Sequence, residues 1–224
     1  MRKVAVVTGC SYGLGYEIAD KLIDEGYFVY GLSRSQPSMS LYSYPDTFEW
    51  IECDISKSQE VKKAFEKIGT HIDVLVNNAG VYEWGLFKSY FTIDKIDKII
   101  DLNVKGTMYV TKEALEFMKK GGDIFFINSV AGLAEMEWEA VYSASKHAIT
   151  AFAGALGSEF HTQKNEIRVT SIHPGGIKTP MQNKHPTKDK LLETKEITDT
   201  IMHVLNSKAT YKTIKLFSES EWHQ

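Results

Sequence analysis

Near its start the chain runs Val4-Ala5-Val6-Val7-Thr8 into Gly9-Cys10-Ser11-Tyr12-Gly13-Leu14-Gly15. A helical pattern follows, with Ile18, Ala19, Leu22 and Ile23 on one side. A short β-branched run without polar alternation suits a strand covered on both faces, as in the middle of a parallel sheet. The glycines let a backbone approach a pyrophosphate closely, and the N-terminus of the following helix favours its charge. The spacing is G-x-x-x-G-x-G rather than the commoner G-x-G-x-x-G. In isolation it is compatible with a structural turn; its place between strand and helix favours a dinucleotide.

The alternation continues along the chain. Phe28 to Ser33 reads as a second strand ending at Arg34, and residues 35–47, rich in Ser, Tyr and Pro, as a loop. Phe48 to Cys53 reads as a third strand, followed by Asp54. Ser56 and Gln59 have the form of a capping box, predicting a helix with Val61, Ala64, Phe65 and Ile68 inward. Val74-Leu75-Val76 predicts a buried strand running into Asn77-Asn78-Ala79-Gly80. The aromatic stretch 81–91 reads equally as a self-packing loop or a substrate wall. Thr92 then caps a helix carrying Ile93, Ile96, Ile99 and Ile100, which Asn103, a poor mid-helix residue, divides from a helix over 104–119. Strands at Asp123–Ile127 and Arg168–Ile172 flank a helix over 141–162, and a helix over 197–207 precedes a strand near 211–217. This pattern implies an α/β fold: a doubly wound, mainly parallel, Rossmann-like sheet of about seven strands with helices on both faces. No repeat or linker divides residues 1–224, so a single domain is expected.

The totals exclude several classes. A chain 43% hydrophobic and 25% charged can bury an ordinary globular core. Its 26 basic and 29 acidic residues, net −3, carry no signature of nucleic-acid or membrane binding. Cys10 and Cys53 form neither a disulfide framework nor a metal-ligand spacing, so no metal is expected. Met1-Arg2-Lys3 leads directly into the first strand without a signal-peptide pattern, and no apolar run approaches ~18 residues, so a cytoplasmic location is expected.

Two places carry chemistry. Tyr142 and Lys146 stand four apart on a predicted helix and share a face. A phenol titrates near ~10, and a nearby cation favours the phenolate, so such a tyrosine could exchange a proton with a substrate oxygen. At the end of the second strand, many NAD-binding units place an acid against the ribose 2′-hydroxyl, whereas an Arg accommodates a 2′-phosphate. Ser33-Arg34-Ser35 offers a guanidinium, two hydroxyls and no carboxylate, favouring NADP(H) over NAD(H).

Together, Thr8-Gly9-x-x-x-Gly13-x-Gly15, Asp54, Asn77-Asn78-Ala79-Gly80, Asn103, Ser129, Tyr142-x-x-x-Lys146 and Pro174-Gly175 with Thr179 give a resemblance over essentially the whole chain. The chain resembles a short-chain dehydrogenase/reductase of the compact single-domain kind. The resemblance implies that Tyr142 is the general acid or base, that Lys146 lowers its pKa and holds the nicotinamide ribose, and that Ser129 hydrogen-bonds the substrate oxygen. Asn103 would hold a water linking Lys146 to solvent. The cofactor contacts it implies are Gly9, Ser11, Tyr12, Gly13, Leu14 and Gly15 in the first turn, and Ser33 and Arg34 after the second strand. Asp54 and Ile55 would lie at the adenine, Asn77, Ala79 and Gly80 in the cofactor-binding core, and Pro174, Gly175, Ile177 and Thr179 at the carboxamide end, with Tyr142 and Lys146 completing the set. A short segment around 179–196 would cover the substrate. Asn128, where a second serine is frequent, and Thr170, where Asn is frequent, depart from the pattern.

The function these features favour is an NADP(H)-dependent oxidoreductase acting on a small-molecule carbonyl or alcohol, probed first as a carbonyl reductase. An NAD-dependent alcohol dehydrogenase and a non-catalytic nucleotide-sensing protein are the alternatives. The stripe Ala144, Ala148, Ala151, Phe152 and Ala155, with Gly154 and Gly157, suits either intrachain helix packing or a homodimer or homotetramer interface, and the interface is the reading favoured. Glu135, Glu137 and Glu139 around Trp138, and Lys178, Lys184, Lys188 and Lys190, read as solvated loop charges.

Overall fold

The structure, a computed structural model, describes residues 2–37, 46–163, 166–181 and 191–218. Seven strands, β1 (Val4–Thr8), β2 (Phe28–Ser33), β3 (Phe48–Glu52), β4 (Ile72–Asn77), β5 (Met118–Ile127), β6 (Arg168–Pro174) and β7 (Thr213–Leu216), form one sheet in the order β3-β2-β1-β4-β5-β6-β7. Every pairing is parallel. The helices are α1 (Leu14–Asp24), α2 (Ser58–Ile68), α3 (Phe87–Tyr90), α4 (Ile93–Ile99), α5 (Thr107–Phe117), α6 (Ala140–Thr162) and α7 (Thr194–Asn206).

The sheet separates two apolar layers. Ile18, Leu22 and Ile23 of α1 and Ile197 and Ile201 of α7 pack on one face with Ala5, Val7 and Phe125. Phe65 of α2, Val110 and Ala114 of α5, and Ile149, Ala153 and Phe160 of α6 cover the other with Val6, Leu75 and Phe126. Consecutive residues of β1 therefore serve opposite faces, and Ala5, Val6 and Val7 are all fully buried. Chain order reverses where β1 lies between β2 and β4, and in open α/β sheets ligands bind beyond the strand ends at such a point. Arg168, at the start of β6, grips Asp123 of β5 with Nε at 2.7 Å and Nη2 at 3.0 Å, a bidentate pair where the two residues lie in register.

Several local expectations change. α2 begins at Ser58 with Lys57 at the N-cap and no side-chain cap, because Ser56 instead turns its hydroxyl to Asp54 Oδ1 at 2.8 Å. A reciprocal capping box is built by Glu193 and Glu196 at the start of α7. Ile93 is 72% exposed, so the isoleucine stripe of α4 buries only its far end, at Ile99. Asn103 does interrupt the helix: residues Ile100–Gly106 form a π-helical turn between α4 and α5. Such turns are rare and concentrate near functional sites. Ala144, Ala151, Gly154 and Ala155 of α6 face outward, and a Cβ added at Gly154 would meet nothing within 4 Å. No described helix is long and apolar enough to cross a membrane.

Candidate active site

A cleft of about 1010 Å³ opens beyond the carboxyl ends of β1, β4, β5 and β6. Its floor is tied together by Thr8. The Thr8 hydroxyl accepts the backbone N–H of Asn78 and of Ala79, both at 3.0 Å, while Asn78 Nδ2 donates to the Thr8 carbonyl at 2.9 Å. Residues Gly9, Ser11, Tyr12, Gly13, Leu14 and Gly15 line one end. Gly9 and Gly13 hold φ of 72° and 64°, a region that favours glycine. A Cβ on Gly15 would land on the Gly9 carbonyl oxygen and Asn78 Nδ2, so this glycine lets helix and strand end touch. Gly13 is the N-cap of α1 and no side chain caps it, leaving that N-terminus to the cleft. Uncapped N–H groups, bare glycine backbone and the helix dipole are a donor set that fits the pyrophosphate of a dinucleotide.

Further along, Leu32, Ser33, Arg34 and Ser35 line the cleft opposite Asp54 and Ile55. Arg34 is exposed, whereas the Ser33 hydroxyl is turned into the protein, donating to the Ser35 carbonyl at 2.8 Å and accepting from Trp50 Nε1 at 3.1 Å. Of Ser33 and Arg34, the guanidinium is thus the group offered to an anion here. Asp54 accepts from Ser56 N as well as its hydroxyl, which orients the carboxylate along its own turn. Ala79 and Gly80 line the cleft; Asn77 does not. As the last residue of β4, Asn77 points the other way and donates to Thr111 Oγ1 of α5 at 3.1 Å. Asn78, which the sequence showed only as part of a motif, takes its place. Pro174, Gly175, Ile177 and Thr179 line the far side, where Gly175 N donates to the Leu216 carbonyl at 2.9 Å and Ile177 bridges Leu192.

Ser129, Tyr142 and Lys146 meet in this cleft. Ser129 leaves β5 in an extended conformation and caps a short 3₁₀ turn, its Oγ accepting from Ala131 N at 3.1 Å. Behind it, the buried His173 imidazole donates Nδ1–H to the Ser129 carbonyl at 3.0 Å and accepts from the Ser171 hydroxyl at 2.9 Å. Asn128 sews the end of β5 to α6, Nδ2 donating to the Lys146 carbonyl at 3.2 Å and to Thr150 Oγ1 at 2.9 Å. Tyr142 and Lys146 project from α6 on one face, with Nζ 5.7 Å from the phenol ring centroid. Nζ donates to the Ile127 carbonyl at 3.1 Å.

Burial dominates the electrostatics of the pair. Burial pushes the Tyr142 phenol above its ordinary value, and the Glu139 carboxylate adds to this, while a hydrogen bond with Ser129 pulls the other way. Burial lowers the Lys146 ammonium to about 8. Desolvation acts on both groups and favours their neutral forms.

Asn103 is 2% exposed and does not line the cleft. Its Oδ1 accepts Val81 N at 2.8 Å, and Nδ2 donates to the Val81 carbonyl at 2.9 Å and to Ser145 Oγ at 3.1 Å. With both amide hydrogens engaged, Asn103 clamps the 81–82 segment to α6.

The reading of Glu139 as a solvated charge is overturned. Glu135 and Glu137 are exposed, but Glu139 is buried on the cleft wall, accepting from the Tyr82 hydroxyl at 2.8 Å. Tyr82 stands edge-on to Tyr142, ring centroids 4.9 Å apart, so the aromatic stretch contributes a wall after all. Lys178 is exposed and pairs with Glu193. Lys184, Lys188 and Lys190, with the rest of residues 182–190 of the covering segment, lie outside the described residues. No group of three or more His, Cys, Asp or Glu able to hold a metal occurs among the described residues.

Comparison with known proteins agrees with this geometry. A farnesol dehydrogenase from Aedes aegypti is 32% identical over 221 residues, covering 92% of this chain and 90% of its own. The fold matches a short chain dehydrogenase from Burkholderia cenocepacia solved with NADP, at a TM-score of 0.84, 22% identity and 96% coverage of both chains. It matches equally a 3-oxoacyl-[acyl-carrier protein] reductase from Brucella melitensis solved with NAD, at a TM-score of 0.86, 23% identity and coverage of 96% and 95%. Residues 3–190 match the sequence profile of the family described as short chain dehydrogenase. With a seven-stranded parallel sheet wound by helices on both faces, the chain belongs to the short-chain dehydrogenase/reductase family.

Proposed function

We propose that this protein is an NADP(H)-dependent oxidoreductase that reduces a small-molecule carbonyl, with Tyr142 as the general acid. The observation that carries this reading is the shared cleft: a buried phenol beside Ser129 and Lys146 lies in the same cavity as the uncapped N-terminus of α1 and Arg34. When bound, the nicotinamide supplies the hydride, and the chain supplies orientation and proton transfer. Gly9 to Gly15 and the start of α1 hold the pyrophosphate, Arg34 the 2′-phosphate, and Asp54 and Ile55 flank the adenine. Pro174, Gly175, Ile177 and Thr179 border the carboxamide.

At the reacting carbonyl, the Ser129 hydroxyl donates a hydrogen bond to the oxygen, and its preorganised position stabilises the charge that develops there. Tyr142, kept protonated by burial and by Glu139, gives its proton to that oxygen. Lys146 binds the ribose hydroxyls and stabilises the phenolate once the proton has left. Asn103 and His173 act as positioning residues, the one through Val81 and Ser145, the other through the Ser129 carbonyl. The outward small-residue face of α6 fits a homodimer or homotetramer contact, which a mass measurement at micromolar concentration checks directly.

NADP(H) is favoured over NAD(H) because the end of β2 presents a guanidinium and no carboxylate to the cleft. A panel of aldehydes and ketones assayed with NADPH and with NADH tests the reading. Turnover with NADPH and a weaker NADH reaction is the expected result. Preference for NADH refutes the Arg34 role, and tight NADPH binding without turnover on any carbonyl or alcohol refutes the enzymatic one.

A further inference from the structure

Tyr142, Lys146 and Thr150 stand four apart on α6 and share one face over successive turns. The first two reach the cleft. Thr150, one turn further on, meets the segment that carries Ser129. Its hydroxyl donates to the Gly132 carbonyl at 2.8 Å, with the Lys146 carbonyl at 3.1 Å as its other acceptor, and accepts from Asn128 Nδ2 at 2.9 Å. The second amide hydrogen of Asn128 goes to the Lys146 carbonyl at 3.2 Å.

Ser129 is thus bracketed. The residue before it is bonded to α6 through its side chain and to β6 through its backbone N–H, which donates to the Ile172 carbonyl at 2.8 Å. Gly132, three residues after it, is bonded to α6 through its carbonyl, and its N–H closes the turn on the Ser129 carbonyl at 2.9 Å. No side chain fits at this approach: a Cβ on Gly132 would lie 2.9 Å from the Lys146 carbonyl oxygen and Thr150 Oγ1, and 3.0 Å from Asn128 Oδ1. Asn128 holds its place at a cost. Its Oδ1 is buried with no hydrogen-bond partner among the described residues, so its two N–H groups, and not its oxygen, account for the side chain being there. A serine hydroxyl has one hydrogen and cannot serve both acceptors.

Resting on the oxidoreductase reading above, we propose that Asn128 and Thr150 are positioning residues for the reaction. Together they set the Ser129 hydroxyl against Tyr142 and Lys146. A hydrogen-bond donor preorganised at the reacting oxygen loses its advantage when it is displaced, and an error of about 1 Å can cost about 100-fold in rate.

The test is a cycle of Thr150 and Ser129 variants, assayed for kcat on the best carbonyl with NADPH. Thr150→Val keeps the shape of the side chain and removes the hydroxyl, and it should lower kcat by about 10- to 100-fold. Thr150→Ser, which keeps the hydroxyl, should stay within about 3-fold of wild type. In a Ser129→Ala background, Thr150→Val should lower kcat by less than about 3-fold, because the group it aims is gone. Wild-type kcat in Thr150→Val, whatever its melting temperature, overturns the proposal. So does an equal loss with and without the Ser129 hydroxyl, which marks general structural damage. If Thr150→Val does not fold, Asn128→Ser, which keeps one of the two bonds, takes its place in the cycle and is judged by the same comparison. A wild type that turns over no carbonyl or alcohol removes the oxidoreductase reading together with this inference; an active wild type with an unaffected Thr150→Val removes this inference alone.

Discussion

Replacing Lys146 with Met should make the cofactor-free protein more stable at neutral pH while abolishing its proposed activity. Burial lowers the ammonium from 10.5 to about 8, so the fold holds an ill-solvated charge at pH 7. By linkage this corresponds to about 3 kcal/mol of folding free energy. The hydrogen bond from Nζ to the Ile127 carbonyl offsets part of it, and its loss costs about 1 kcal/mol. Met fills the space of the stem, leaving a net gain of about 2 kcal/mol. The sign of the pH dependence follows. Below about 8 both folded and unfolded wild type carry the charge and the full penalty applies; as pH rises through about 8 toward 10.5 it disappears. The advantage of Lys146→Met should therefore shrink by about 2 kcal/mol between pH 7 and pH 9.5. Urea unfolding of both proteins at several pH values measures this difference. A mutant no more stable than wild type at pH 7, or a gap independent of pH, would refute the reasoning. A stabilising, inactivating substitution is what a site that trades stability for function predicts.

Three other substitutions probe separate parts of the cleft. Arg34→Asp should raise KM for NADPH by about 10- to 100-fold, the loss of a charge-assisted phosphate contact, and improve the use of NADH; an unchanged coenzyme ratio contradicts the assignment. Gly15→Ala should destabilise the protein by about 3 kcal/mol, because its Cβ displaces the Gly9 carbonyl and Asn78, and should weaken NADPH binding; a melting curve and a binding titration read the two effects. At His173, Asn keeps a donor near Nδ1 for the Ser129 carbonyl, whereas Gln keeps its amide near Nε2 and Ser171. His173→Asn should retain about 10-fold more kcat than His173→Gln at similar KM for NADPH, and equal losses would reduce His173 to packing.

The strands and most helices were legible because a parallel sheet covered on both faces needs continuous apolar runs, and Val4–Thr8 and Val74–Val76 supply them. The glycine turn was legible because its positive φ values and backbone contacts leave few other residue choices. What escaped depended on distant partners. Asn77 and Asn78 are adjacent and alike, and only the direction of β4 decides which one reaches the cleft. Ser56 has two possible uses for its hydroxyl, and Asp54 won over the helix end. Glu139 sits in an acidic, tryptophan-bearing loop that reads as solvated; Tyr82, 57 residues away, and the backbone at Trp138 draw it inside. The burial of Tyr142 escaped for the same reason: spacing along a helix gives a residue's neighbours but not its burial.

The most direct test of the central claim is turnover of Tyr142→Phe beside its affinity for NADPH. Phe keeps the ring that packs against Tyr82 and removes only the proton donor. The account predicts that kcat on the best carbonyl falls by about 10³-fold, within the range general acid catalysis supplies, with NADPH affinity essentially unchanged. Turnover within a few-fold of wild type would contradict it.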